Sequence, residues 1–168
     1  MRGVFLFHSS DEWRSLSLRS CESPDGRLDV EQSMNRLNDI CREHGVLSVY
    51  LFGSRADDGL RRFRGDFVDR QGSDLDVGVF YVSRNPDAGR LGELQVALEE
   101  IFDPFRVDLV PLDRVDPLFQ FRAIDGHRVA VTDSTAADER ELEVMRRAAD
   151  LLPFQRQAEI ETFGISTS

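Results

Sequence analysis

A chain of 168 residues, 40% of them hydrophobic, is long enough to bury one sizeable core, since a domain of about 150 residues removes roughly 70% of its unfolded surface from water. Its 21 basic against 31 acidic side chains give a net charge of −10, which opposes long-range attraction to a polyanion and argues against general coating of DNA or RNA. The same negative surface keeps a protein in solution and suits a basic protein partner or a metal–nucleotide complex.

The longest apolar stretch near the start, Gly3 to Phe7, falls short of the roughly 7–15 residues of a signal-peptide core and the ~20 of a membrane span, so the expectation is a cytoplasmic protein with no membrane partner. Cys21 and Cys41 stand in no metal-ligand spacing and are expected as reduced thiols. Residues 1–28 lack sustained periodicity and read as an N-terminal extension. Residues 29–132 read as the core, and 133–168 as a C-terminal helical segment.

Val30, Met34, Leu37, Ile40 and Cys41 recur at helical spacing before Gly45, which predicts an amphipathic helix over about 29–44. Val46 to Phe52 is a β-branched and aromatic run that breaks at Gly53-Ser54, the pattern of a buried strand ending in a sharp turn. Arg55 to Ser73 has no lasting period and is expected to be a mobile loop, with one helical turn at its start. A second strand is expected over 75–82, a helix over about 88–102 from Leu91, Leu94, Leu98, Ile101 and Phe102, and a third strand over 106–111. Val115, Leu118, Phe119 and Arg122 predict a helix closed by Gly126, followed by a strand over 128–132. Residues 138–152 predict a charged amphipathic helix that Pro153 interrupts. Its stripe of Leu142, Met145, Ala149 and Leu152 either packs on its own domain or serves as a docking face.

The chemistry is concentrated in two strands. Side chains alternate along a strand, so Asp74 and Asp76 share one face while Leu75, Val77 and Val79 share the other. Their Cα atoms are then roughly 6.6 Å apart, close enough to lean onto a common ion. An unpaired carboxylate in apolar surroundings is costly, so something positive is expected beside them. Asp108 interrupts Val107, Leu109 and Val110 in the same way. If the third strand lies beside the second, Asp108 faces the same side and completes an all-oxygen site for Mg²⁺ or Mn²⁺. Gly53 lets the backbone approach a phosphate, Ser54 adds a hydroxyl, and a helix starting after them aims N–H groups at the same phosphate. Arg55 is a further candidate for nucleotide binding. His8, His44 and His127 receive no role.

Leu51-Phe-Gly-Ser-Arg-Ala56, Gly72-Ser-Asp-Leu-Asp-Val77 and Val107-Asp-Leu-Val110, in that order, resemble the minimal nucleotidyltransferases of the DNA polymerase β superfamily. The resemblance covers about residues 29–132. It implies an α/β fold with a mixed sheet flanked by helices, Gly53 and Ser54 on the nucleotide phosphates, Asp74 and Asp76 on two Mg²⁺ ions, and Asp108 on one of them and near the attacking hydroxyl. The chain departs from the family in leaving nineteen residues between Ser54 and Asp74 where ten are usual. Loop closure becomes only slowly costlier with length, so the insertion is tolerable. Arg61, Arg62 and Arg64 within it either reach the triphosphate or a partner, or are simply solvated.

Small members of this family without an added substrate domain resemble antitoxins that silence a HEPN-type ribonuclease toxin by moving AMP from ATP onto a toxin tyrosine. The resemblance therefore implies an adenylyltransferase whose partners are ATP and a cognate HEPN toxin, with no direct nucleic-acid binding and a homo-oligomer left open. Two alternatives stand beside it: transfer to a small molecule, as in aminoglycoside nucleotidyltransferases, and a non-catalytic antitoxin acting by contact alone.

Overall fold

The computed structural model describes residues 30–69, 72, 74–84 and 90–163, and the expected extension over 1–28, with Cys21 and His8, lies outside them. Nine elements follow in order: α1 (Val30–His44), β1 (Val46–Phe52), α2 (Ala56–Phe63), β2 (Leu75–Tyr81), α3 (Leu91–Phe102), β3 (Val107–Pro111), α4 (Pro117–Ile124), β4 (His127–Val131) and α5 (Ser134–Phe163). Gly45 ends α1 with φ +66°, a left-handed conformation that a residue without Cβ adopts at little cost. Asp116 starts α4 by accepting from the N–H groups of Leu118 and Phe119, with Pro117 at the first helical position.

The strands form one mixed sheet in the order β3-β2-β1-β4, with β2 and β3 parallel and the other pairs antiparallel. A parallel pair needs a crossover, and α3 supplies it. Alternation along the strands divides the core in two. Val49, Leu51, Leu75, Val77 and Val79 pack beneath α1, α2 and α3 through Leu37, Phe63, Leu98 and Phe102. On the opposite face Tyr50, Phe52 and Phe80 meet Ala123 of α4 and Ala137 and Val144 of α5. Both faces of β1 and nearly all of β2 are buried, which is why each reads as a continuous apolar run and not as an alternation.

Two sequence expectations are corrected, and a third, left open between two readings, is narrowed. Residues 56–63, expected within a loop having a single turn, form the two-turn helix α2, because Ala56, Gly59 and Phe63 face inward at helical spacing. A Cβ at Gly59 would lie 2.6 Å from Leu75 Cδ1, so the helix can sit this close only on a bare glycine. The last helix begins at Ser134, where Asp133 accepts from the Ala136 N–H, and it runs through Pro153 instead of stopping there. Finally, the stripe of Leu142, Met145, Ala149 and Leu152 points outward, and the inward face is Ala137, Val144 and Ala148.

Candidate active site

Where β1 finishes and β2 and β3 begin, Phe52 is still covered by the Phe119 ring of α4, whereas Asp108 on the same face of the sheet is exposed. Asp76 and Asp108 are register partners of the parallel β2–β3 pair, so their side chains leave the same face of neighbouring strands about 4.8 Å apart. Asp74 stands two residues before Asp76, on the same face by alternation. Asp76 is half-buried, whereas Asp74 and Asp108 are exposed. The sequence thus brings all three predicted acids to one corner, and the condition placed on Asp108, adjacency of the third strand to the second, is met.

Gly53 closes the site from β1. Phe52 pairs with Asp76 across the antiparallel β1–β2 ladder, and the chain then turns with Gly53 at φ +74°. A Cβ on Gly53 would lie 2.2 Å from Asp76 Oδ2, so only glycine lets this turn sit against the carboxylate. Ser54 follows, exposed, in a single tight turn over Gly53–Arg55 that leads into α2. Ser54, its turn and the acids therefore lie at the same end of the sheet. Arg55, also expected on the nucleotide, is directed elsewhere: its guanidinium meets Asp58, the Asp69 carbonyl and the Phe105 ring.

The electrostatics are those of a cation-deficient place. Burial, then the charge of Asp108, then that of Asp74, hold the Asp76 carboxyl above its ordinary value of 3.8. The charges that act on Asp76 are both acids. Such an oxygen-only donor set suits Mg²⁺ or Mn²⁺. Among the described residues no three His, Cys, Asp or Glu side chains stand as a group that could hold a metal ion. Two basic side chains of the insertion, Arg61 and Arg62, have partners within the fold. Arg61 pairs with Asp58 and Asp66 at 3.9 and 3.8 Å, and Arg62 donates to the Asp103 carbonyl.

The polymerase beta nucleotidyltransferase family model matches residues 35–135, well over half of the chain. The chain belongs to that family. The matched span of this nucleotidyltransferase begins in α1, ends in α5, and contains Gly53, Ser54, Asp74, Asp76 and Asp108. No curated protein matches the sequence.

Among solved structures, the nucleotidyltransferase is similar to a chain of a mutant MntA–HpeT toxin–antitoxin, at 19% identity and a TM-score of 0.56 over 79% of this chain and 98% of that one. A toxin–antitoxin with AMP-PNP gives 20% identity and the same TM-score over 79% and 98%. A tri-AMPylated Shewanella oneidensis HEPN toxin in complex with MNT antitoxin gives 19% identity and a TM-score of 0.54 over 81% and 99%. At these identities the likeness is one of fold, and the mixed sheet flanked by helices that the motifs imply is the fold found. No helix among the described residues is long and apolar enough to cross a membrane.

The grouping of Arg55 with Gly72 and Phe105 was not foreseeable from the motifs. The three positions are separated by 17 and 33 residues, and no spacing rule connects them.

Proposed function

We propose that this nucleotidyltransferase moves AMP from ATP onto a tyrosine hydroxyl of a HEPN-type toxin in the cytoplasm, and so neutralises it. The observation that carries the reading is the in-register pair Asp76 and Asp108, set beside Asp74 and tight against Gly53. The acceptor class is supported by the neighbours, one a tri-AMPylated HEPN toxin with an MNT antitoxin and another a toxin–antitoxin with AMP-PNP.

The chain's own tyrosines support an acceptor on another molecule. There are two, Tyr50 and Tyr81, and both are buried, at 0% and 4% exposure. Tyr50 further donates its hydroxyl to Glu141 at 2.6 Å, and burial raises its pKa. Neither phenol can reach the site without unfolding the sheet.

In this reading the Ser54 hydroxyl and the N–H groups of the Gly53–Arg55 turn hold the nucleotide phosphates, and the bare Cα of Gly53 allows their approach. Asp74 and Asp76 would hold two Mg²⁺ ions, or Mn²⁺ in their place, and Asp108 one of them. Bound there, divalent ions supply charge neutralisation of the triphosphate and ease deprotonation of the acceptor hydroxyl. Asp108 orients that hydroxyl and accepts its proton. The tyrosyl oxygen forms a bond to the α-phosphorus while the bond from that phosphorus to the β-bridging oxygen breaks, and pyrophosphate leaves. The protein contributes mainly position and fixed charge.

Intact-mass spectrometry tests the proposal. The protein encoded beside this chain, incubated with it, ATP and Mg²⁺, should gain one or more adenylate units, and Asp74→Asn/Asp76→Asn should abolish the gain. Tight binding of that protein without any gain would replace this reading with contact neutralisation, and absence of both would point to a small-molecule acceptor.

A further inference from the structure

Arg55 directly follows Ser54, yet its side chain is only 11% exposed. Its Nε lies 3.0 Å from Asp58 Oδ2, one turn further along α2. On the far side Nη2 donates to the Asp69 carbonyl at 3.0 Å. The guanidinium carbon stands 4.8 Å from the centroid of the Phe105 ring, which is itself buried. Gly72 completes the enclosure, because a Cβ there would lie 1.9 Å from Arg55 Nη1. Gly72 has φ +135°, so both its conformation and the space it leaves require glycine.

These contacts fall on the lead-ins to the acids. Gly72 precedes Asp74 by two residues, and Phe105 precedes Asp108 by three. The two lead-ins are themselves joined by the Leu75 N–H, which donates to the Arg106 carbonyl at 2.8 Å. One planar cation therefore touches the segment carrying Ser54, the segment entering Asp74 and Asp76, and the segment entering Asp108. Lysine is a poorer fit, since its compact ammonium lacks the planar group that lies over the Phe105 ring while its edge meets a carboxylate and a carbonyl.

We propose that Arg55 is a positioning residue that clamps the returning limb of the insertion and the entrance to β3 onto the Ser54 turn, thereby setting the spacing of Asp74, Asp76 and Asp108. The assignment rests on the reading of those acids as cation ligands. It also accounts for the tolerance of nineteen residues between Ser54 and Asp74: a long loop leaves its end loosely placed, and Arg55 fastens that end two residues before the first acid. Buried Val68 fastens the same limb to the core. For Arg55 to serve as a phosphate ligand, its guanidinium would have to leave Asp58, the Asp69 carbonyl and the Phe105 face together.

The test compares wild type, Arg55→Ala, Arg55→Lys, Phe105→Leu and Asp74→Asn/Asp76→Asn in three measurements on the whole chain. These are Mn²⁺ binding without nucleotide by electron paramagnetic resonance, binding of a fluorescent ATP analogue in chelator, and amide hydrogen exchange at Leu75 and Val107. Arg55→Ala should weaken Mn²⁺ binding about 10-fold while metal-free nucleotide affinity stays within about twofold, as for other residues that orient ligands without touching the ion. Exchange at Leu75 and Val107 should rise. Lysine should fail to restore either, and Phe105→Leu should move both in the same direction by less. Unchanged Mn²⁺ binding with weakened metal-free nucleotide binding would overturn the proposal and make Arg55 a phosphate ligand. Unchanged exchange would overturn it as well. If Arg55→Ala does not fold, Phe105→Leu decides by the same readouts. Wild type binding Mn²⁺ no better than Asp74→Asn/Asp76→Asn would sink the metal assignment, and the exchange measurement would still judge the clamp.

Discussion

Asp76 on β2 and Asp108 on β3 occupy one register position of a parallel strand pair whose other positions carry apolar residues and Gly78, so two acids stand side by side. Burial, followed by the repulsion of Asp108 and of Asp74, raises the folded-state pKa of Asp76 above 3.8. The folded protein therefore holds that proton more tightly than the unfolded chain does, and stability is lost as pH rises from 3.8 through the folded value. Asp76→Asn removes this cost. Without divalent ions the variant should melt above wild type at neutral pH, with the gap narrowing as pH falls toward 3.8. Mg²⁺ should raise the melting temperature of wild type far more than that of Asp76→Asn, which scanning fluorimetry with and without chelator measures.

Gly53→Ala should separate folding from transfer. The left-handed backbone at this position costs a residue with Cβ about 1–2 kcal/mol, which the fold should survive. The added methyl, however, meets Asp76 Oδ2 and must push the carboxylate or the turn aside. A loss of adenylate transfer of about 100-fold is expected, in line with the effect of misplacing reacting groups by an ångström. Single-turnover kinetics on folded variant checks it, and near-normal transfer would show that the turn does not have to lie against Asp76.

The polar contacts that hold α5 differ greatly in weight. Asp113 accepts from the Tyr81 N–H at 2.8 Å and pairs with Arg140, with side-chain exposures of 4% and 10%. Arg140 also lies over the Phe80 ring at 5.3 Å. Asp113→Ala leaves a buried cation alone and should cost about 3–5 kcal/mol in urea unfolding. Arg84 and Glu143, 2.6 Å apart but with 54% and 30% exposure, should give up less than about 1 kcal/mol when Arg84 becomes Ala.

Along α5 the two faces should respond oppositely to substitution. Val144 is 2% exposed and Leu142 51% exposed. Val144→Ala is expected to cost about 1.5–3 kcal/mol, from two methyl groups removed and the space they leave. Leu142→Ser should stay within about 0.5 kcal/mol of wild type. Denaturant midpoints of both variants decide.

These faces mark where sequence reading succeeds and where it stops. β1 and β2 were legible because burial on both faces writes a dense apolar run, and the acids stood out as interruptions of such runs. Asp76 and Asp108 were recognisable as anomalies separately. Their shared register depended on which strand neighbours which, a property of the crossover through α3 and not of either segment. α2 was missed because eight residues hold only three inward positions, one of them Gly59, which carries no hydrophobic signal. The start of α5 was missed because its inward residues there are small alanines. Its stripe of larger residues reads as a core face, while the smaller side chains are the ones that fit beneath a closely packed sheet.

Among the described residues β3 is an edge strand, paired with β2 on one side and with no strand beyond it. An open edge invites another chain to add on, and proteins discourage this with short length, charge and proline. β3 has all three, being five residues long with exposed Asp108 inside it and Pro111 at its end. The residue proposed to serve chemistry therefore also guards solubility. Asp108→Val would turn the segment into an uninterrupted Val-Val-Leu-Val ribbon, so a lost activity there would be confounded by self-association, whereas Asp108→Asn removes the charge and keeps a polar side chain facing water.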